Sequence, residues 1–139
     1  MSDAAWSLDP VLAQHSIALG DLALSRVLIS TDANYPWLIL VPRRAAIVEI
    51  FELADADQPV LMAEIAATGR ALKSVTRCDK LNIAALGNAV PQLHVHIIAR
   101  FRNDAAGARP VFGAVPARAY DDAELARFVA SLRAAIDLM

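Results

Sequence analysis

The stretch that most constrains this chain is Gln92-Leu93-His94-Val95-His96-Ile97-Ile98-Ala99-Arg100. Strict alternation of this kind reads as a strand, because successive side chains of a strand point to opposite faces. Leu93, Val95 and Ile97 then share one face, which must be buried. Gln92, His94, His96 and Ile98 share the other, with neighbours on that face roughly 6.8 Å apart. An amide and two imidazoles therefore stand in a row above a strand whose reverse is core. The strand must find neighbours elsewhere in the chain to partner it, and its polar row is the candidate functional face.

The rest of the chain supplies such partners. Ser16 to Ser30 reads as a hairpin with Gly20-Asp21 as its two-residue turn. Thr31 to Pro36 is a loop of turn formers, and Trp37-Leu38-Ile39-Leu40-Val41-Pro42 follows, apolar on both faces and so a central strand. Arg43 and Arg44 end it. Asp57 is the candidate N-cap of a long helix that carries Leu61, Ile65, Gly69, Leu72 and Val75 on one face. Gly69 in its middle predicts close packing against the sheet. A strand follows over Lys80 to Leu86, then a turn over Gly87 to Pro91, and then the histidine strand. Residues 102–120 show no period. Asp121 with Glu124 three residues on marks the start of a last helix, whose buried face holds Leu125, Phe128, Val129, Leu132 and Ile136. The expectation is one α+β domain over residues 1–139: a mostly antiparallel, five-stranded sheet with two main helices.

Bulk properties narrow the function class. The chain has 139 residues, 57 % of them hydrophobic, enough for a real core without disulfides. No apolar run approaches the ~18 residues of a membrane helix, so the apolar surplus predicts a generous core and a buried subunit interface. A net charge of −2 argues against nucleic acid as a partner. The charge is unevenly spread: from Ala45 to Gly69 every charged residue is acidic, whereas Pro91 to Ala119 holds four arginines against Asp104 alone. Those arginines would suit an anionic substrate, although solvated surface charge explains them as well. A lone Cys78 excludes an internal disulfide and a cysteine-based zinc site. Met1 to Trp6 lacks a basic start and an apolar segment, so a cytoplasmic protein is expected. His15, without a polar partner at an informative spacing, is read as a surface histidine.

Two imidazoles on a strand allow three uses. They can ligate a metal, but no acidic residue follows to complete the set, and Arg100 would repel a cation. They can be structural. Or one can attack phosphorus, because a neutral imidazole has a free nitrogen near neutral pH, while its neighbour protonates the leaving group or binds phosphate oxygens.

Gln92 to Ile98 resembles the His-φ-His-φ-His-φ-φ motif of the histidine triad (HIT) superfamily of nucleotide hydrolases and transferases, where φ is apolar. Six of the seven positions match, and glutamine stands first, as it does in some small bacterial members. In order and spacing the resemblance covers most of Val27 to Arg100. It implies that His94 is the nucleophile, attacking an α-phosphate to form a nucleotidyl-histidine that water or another acceptor resolves. His96 would bind phosphate or leaving-group oxygens, with Gln92 orienting His94 through its amide. Gly87 and Asn88 would hold phosphate, with Asn82 below them, and Asp32 or Asn34 would contact ribose. Substrates would be a nucleoside phosphoramidate, a dinucleoside polyphosphate or a similar conjugate, with no cofactor required and a divalent metal admissible beside a polyphosphate. The resemblance also implies a homodimer in which residues 102–120, Phe112 and nearby arginines above all, reach the partner's site. Many relatives carry histidine where this chain has Trp37, which is read here as core rather than as a base-stacking residue. Other readings are a nucleotide-binding module with little turnover, permitted by Gln92, and a metal-dependent enzyme with His94 and His96 as ligands.

Overall fold

The computed structural model describes residues 6–139; of Met1 to Trp6, on which the cytoplasmic expectation rests, all but Trp6 lie outside the described residues. Five strands form one antiparallel sheet: β1 (Ser16–Asp21), β2 (Ser25–Ser30), β3 (Trp37–Pro42), β4 (Lys80–Ala84) and β5 (Val95–Arg100), in the order β1-β2-β3-β5-β4. The helices are a short α1 (Pro10–Gln14) and the two main ones, α2 (Asp57–Thr76) and α3 (Asp122–Ala135). This is the expected α+β architecture, with β3 in the middle as its two-sided apolar pattern requires.

One face of the sheet carries Val27, Ile29, Leu38, Leu40, Val95, Ile97 and Ala99, and it packs on Leu61, Ile65 and Leu72 of α2 and Leu132 of α3. Fully burying one such leucine contributes on the order of 2 kcal/mol. Gly69 permits the close approach: a Cβ there would meet Leu81 Cδ1 at 3.2 Å. Glu64 on the same helix is buried and accepts from the backbone N–H groups of Leu24 (2.8 Å) and Ser25 (3.0 Å). It is a structural tie to the first hairpin rather than surface charge.

The other face has two covers. Towards β1 and β2, Leu8 and Leu12 of the N-terminal segment close over Leu28, Ile39, Val41 and Val90. Towards β5 and the start of β3, the segment after the histidine strand lays Ala106 and Val111 over Tyr35 and Ile98. Between the covers the sheet is left open at His94 and His96.

Three local expectations are corrected. Gly20 and Asp21 lie inside β1, and the connection is Leu22–Leu24, closed by the Leu22 N–H on the Ser25 carbonyl at 2.8 Å. A register shift between Ala18 and Gly20 takes up the extra residue, and Asp21 pairs instead with Arg26 across the hairpin at 2.8 Å. Asp57 is the first helical residue, not the cap, and holds Arg44 at 2.9 Å. The strands on either side of the glycine turn are shorter than alternation alone predicts, ending at Ala84 and resuming at Val95. Asp121, by contrast, caps α3 as expected, accepting from the Glu124 N–H at 2.7 Å. Residues 102–120 form neither helix nor strand. Among the described residues no helix is long and apolar enough to cross a membrane.

Candidate active site

His96 sits on β5 opposite Ile39 of β3 and Ala84 of β4, at the middle of the open strip. His94 lies just before β5, with its ring centroid 4.9 Å from that of His96 and the planes 76° apart. Both are largely buried, at 7 % and 8 % exposure. Together with Gly87, Asn88, Trp37 and Phe112 they wall a pocket of about 250 Å³. A second pocket of about 220 Å³ is lined by His94 and Gln92 together with Ile50 and Phe51.

The hydrogen bonds set the two rings in opposite tautomers. His94 Nδ1 is 2.7 Å from the Gln92 backbone carbonyl, and a carbonyl oxygen can only accept. The proton is therefore on Nδ1, and Nε2 keeps its lone pair. His96 Nδ1 is 3.0 Å from Trp37 Nε1, and an indole N–H can only donate. There the lone pair is on Nδ1 and the proton on Nε2. Burial, reinforced by the neighbouring His94, pushes His96 down from its ordinary 6.5 to about 4, so it is neutral at physiological pH. One ring thus offers a nucleophilic nitrogen and the next an N–H donor.

Gly87 has φ +79°, a conformation that glycine alone adopts without strain, and it turns the backbone along the pocket wall beside the exposed Asn88. Gln92 stands elsewhere than expected. Its side chain reaches the N-terminal segment, accepting from the Asp9 N–H and donating to the Ser7 carbonyl, both at 2.9 Å. It is the backbone of Gln92, not its amide, that orients His94. Asn82 is on the histidine face, but its oxygen accepts from Arg100 at 2.8 Å, and it lines a neighbouring pocket with Arg100 and Gly107. Asp32 and Asn34 do not border the histidine pocket. Asp32 Oδ1 accepts from the Asn34 side chain (2.8 Å) and the Arg118 N–H (3.2 Å), and Asn34 donates to the Pro116 carbonyl (2.9 Å), stapling two loops together.

The arginines that follow the histidines are largely spent within the chain. Arg100 forms a buried pair with Asp104 at 2.8 Å, which holds that carboxyl down at about 2. Arg118 holds Glu124 and the Ala33 carbonyl. No arginine or lysine lines the pocket that holds both histidines. Nor, among the described residues, does a third His, Cys, Asp or Glu join them as a metal-ligating group.

Sequence reasoning missed the contacts of two side chains. Trp37 was read as core, yet its N–H fixes His96; the available signal was that a half-buried indole N–H needs an acceptor. Phe112 lies against His96 of its own chain, with ring centroids 5.0 Å apart, and against Trp37 at 5.7 Å. Nothing in the aperiodic stretch around Phe112 reports that it covers His96 of its own chain.

Comparison with known proteins places the family and the fold. The HIT domain family model matches residues 12–103. A histidine triad protein from Bradyrhizobium japonicum is 57 % identical, with 95 % of this chain and 98 % of that chain covered and a TM-score of 0.94. A histidine triad protein from Sinorhizobium meliloti is 39 % identical (97 % and 100 % covered, TM-score 0.94), and one from Marinobacter aquaeolei is 38 % identical (96 % and 97 % covered, TM-score 0.93). No curated protein matches the chain. With the family model matched over residues 12–103 and relatives 57 %, 39 % and 38 % identical over nearly their whole length, the chain belongs to the histidine triad (HIT) family of nucleotide-binding proteins and hydrolases.

Proposed function

We propose that the protein transfers a nucleotidyl group through a covalent bond to His94. The observation that supports this best is the pair of opposite tautomers. His94 Nε2 attacks the α-phosphorus of a bound nucleotide conjugate, and the bond from phosphorus to the leaving group breaks. The electron pair of that bond leaves with the departing atom, which accepts a hydrogen bond from the His96 Nε2–H and takes any proton it needs from solvent water. As the His94 ring becomes cationic, the Gln92 carbonyl stabilises it through the 2.7 Å contact to Nδ1. Water then attacks the same phosphorus and passes a proton to the surrounding solvent, while the bond from phosphorus to His94 Nε2 breaks and its electron pair returns to that nitrogen. Backbone N–H groups of the turn that begins at Gly87, beside Asn88, bind the phosphate oxygens. Asn82, tied to Arg100, supports the adjoining wall. Asp32 and Asn34 keep the ribose role proposed from the family resemblance only if their loop rearranges, since both are engaged with residues 116–118.

The test is to mix the protein with an adenosine 5′-phosphoramidate or a diadenosine polyphosphate, quench in alkali and map the adduct by mass spectrometry. An adenylyl group on His94, absent in His94→Asn, is the expected result. Binding without adduct or product would identify a nucleotide-binding module instead, and activity lost with a chelator and restored by zinc would replace the covalent scheme.

We also propose a homodimer through the β4 edge. β4 ends the sheet, and Ile83 on it is 51 % exposed, with Leu86 exposed just beyond. An unpaired edge with exposed apolar side chains is a ready surface for a second copy.

A further inference from the structure

The glutamine in the first motif position does something that a histidine there cannot. Its amide oxygen accepts from Asp9 N–H and its amide nitrogen donates to the Ser7 carbonyl, two backbone groups of one extended segment. A primary amide offers an acceptor and a donor side by side, as a peptide unit does to a neighbouring strand. The two nitrogens of an imidazole diverge and cannot meet both groups from one ring position. A carboxylate of the same length has no N–H for Ser7.

The segment so fastened is the cover over one side of the histidine face. Leu8 and Leu12 pack with Leu28, Ile39, Val41 and Val90, and Val90 also walls the histidine pocket. The Arg26 guanidinium lies 5.0 Å over the Trp6 ring, and the His15 carbonyl accepts from the Thr31 N–H at 3.1 Å. At the other end of Gln92 is the peptide that orients the nucleophile. Its carbonyl meets His94 Nδ1 at 2.7 Å, and its N–H, from Leu93, bonds the Ile47 carbonyl at 2.9 Å.

We propose that Gln92 is a positioning residue: its side chain fastens the N-terminal segment to the sheet, and the fastening holds the 92–93 peptide so that His94 keeps its proton on Nδ1. Side chain and carbonyl share one Cα, so a torque on the peptide is resisted at Ser7 and Asp9 as well as at Ile47. The consequence for rate rests on His94 being the nucleophile; the fastening and the tautomer do not.

The experiment uses the full-length chain, wild type, Gln92→Ala, and Asp9→Pro. The last deletes the N–H from the other partner at a residue whose φ of −53° already suits proline, together with the carboxylate that caps α1 at the Val11 N–H, so Gln92→Ala, which keeps that cap, decides the exchange result. Amide hydrogen exchange over residues 8–15 reads the fastening. Long-range proton–nitrogen correlation of the His94 ring reads the tautomer, which a merely structural contact would leave alone. The expected result is exchange faster by about tenfold or more in both variants, on the usual scale of local opening. His94 then shifts from Nδ1–H towards a mixture with Nε2–H, and adduct formation with adenosine 5′-phosphoramidate slows in kcat more than KM changes. Unchanged exchange, or a freed segment with His94 still wholly Nδ1–H, would overturn the proposal. If the tautomer responds but no nucleotide adduct forms in wild type, the nucleophile reading fails and the positioning role stands. If adduct forms and the tautomer ignores Gln92, the reverse holds.

Discussion

His96 is the residue whose chemistry departs furthest from its free form. Its folded pKa of about 4 lies below the ordinary 6.5, so between those values the unfolded chain binds a proton that the folded chain refuses. Folding stability must therefore rise with pH across that window and fall as pH drops from 6.5 to 4. The shift corresponds to a loss of up to about 3 kcal/mol from this group. Urea denaturation midpoints at pH 7 and pH 4 should show it, and His96→Asn should remove that part of the difference. That His94 and His96 stand on one face could be read from alternation alone. Their protonation could not, because the deciding partners are a backbone carbonyl two residues away and an indole 59 residues away. The amide of Gln92 is a similar case, since its partners lie 83 and 85 residues upstream.

At the scale of elements, α2 is joined to the first hairpin by one buried carboxylate. Glu64→Gln keeps the shape of that side chain but turns an N–H₂ towards a backbone N–H, so one of the two bonds is lost and a donor is left facing a donor. A cost of about 2 kcal/mol is expected, read as a lower midpoint in urea at unchanged slope. Periodicity placed α2, α3 and β3 well, because those elements bury stripes or faces that show directly as repeats of apolar residues. It failed at the hairpin turn. Gly20-Asp21 looks like a two-residue turn in isolation, but the register of β1 against β2 is set by the apolar residues on both strands, and the glycine instead passes close to Leu138, 3.1 Å from where a Cβ would stand. Asp57 failed as a cap for a comparable reason: Arg44, distant in sequence, claims its carboxylate.

For the whole molecule, the arrangement of the sheet decides what remains open. Two irregular covers leave a gap over the histidines, and β4, one of the two strands at the edges of the sheet, pairs only with β5 among the described residues. If a second copy pairs there, Ile83→Lys should convert dimer to monomer in sedimentation velocity, while the far-ultraviolet circular dichroism spectrum stays unchanged. A chain that remains dimeric would place the contact elsewhere.

The walls around His94 and His96 have a kinetic consequence. Substrates with phosphate groups commonly reach their sites down a gradient of positive potential, and added salt slows them by screening it. Here no lysine, arginine or carboxylate lines the pocket, and Arg100 is paired with Asp104. Capture should then depend on neutral donors at short range, so kcat/KM measured from low to moderate ionic strength should change by less than about twofold. A steep fall with salt would mean that cations from outside this wall, such as those of a partner subunit, guide the substrate in.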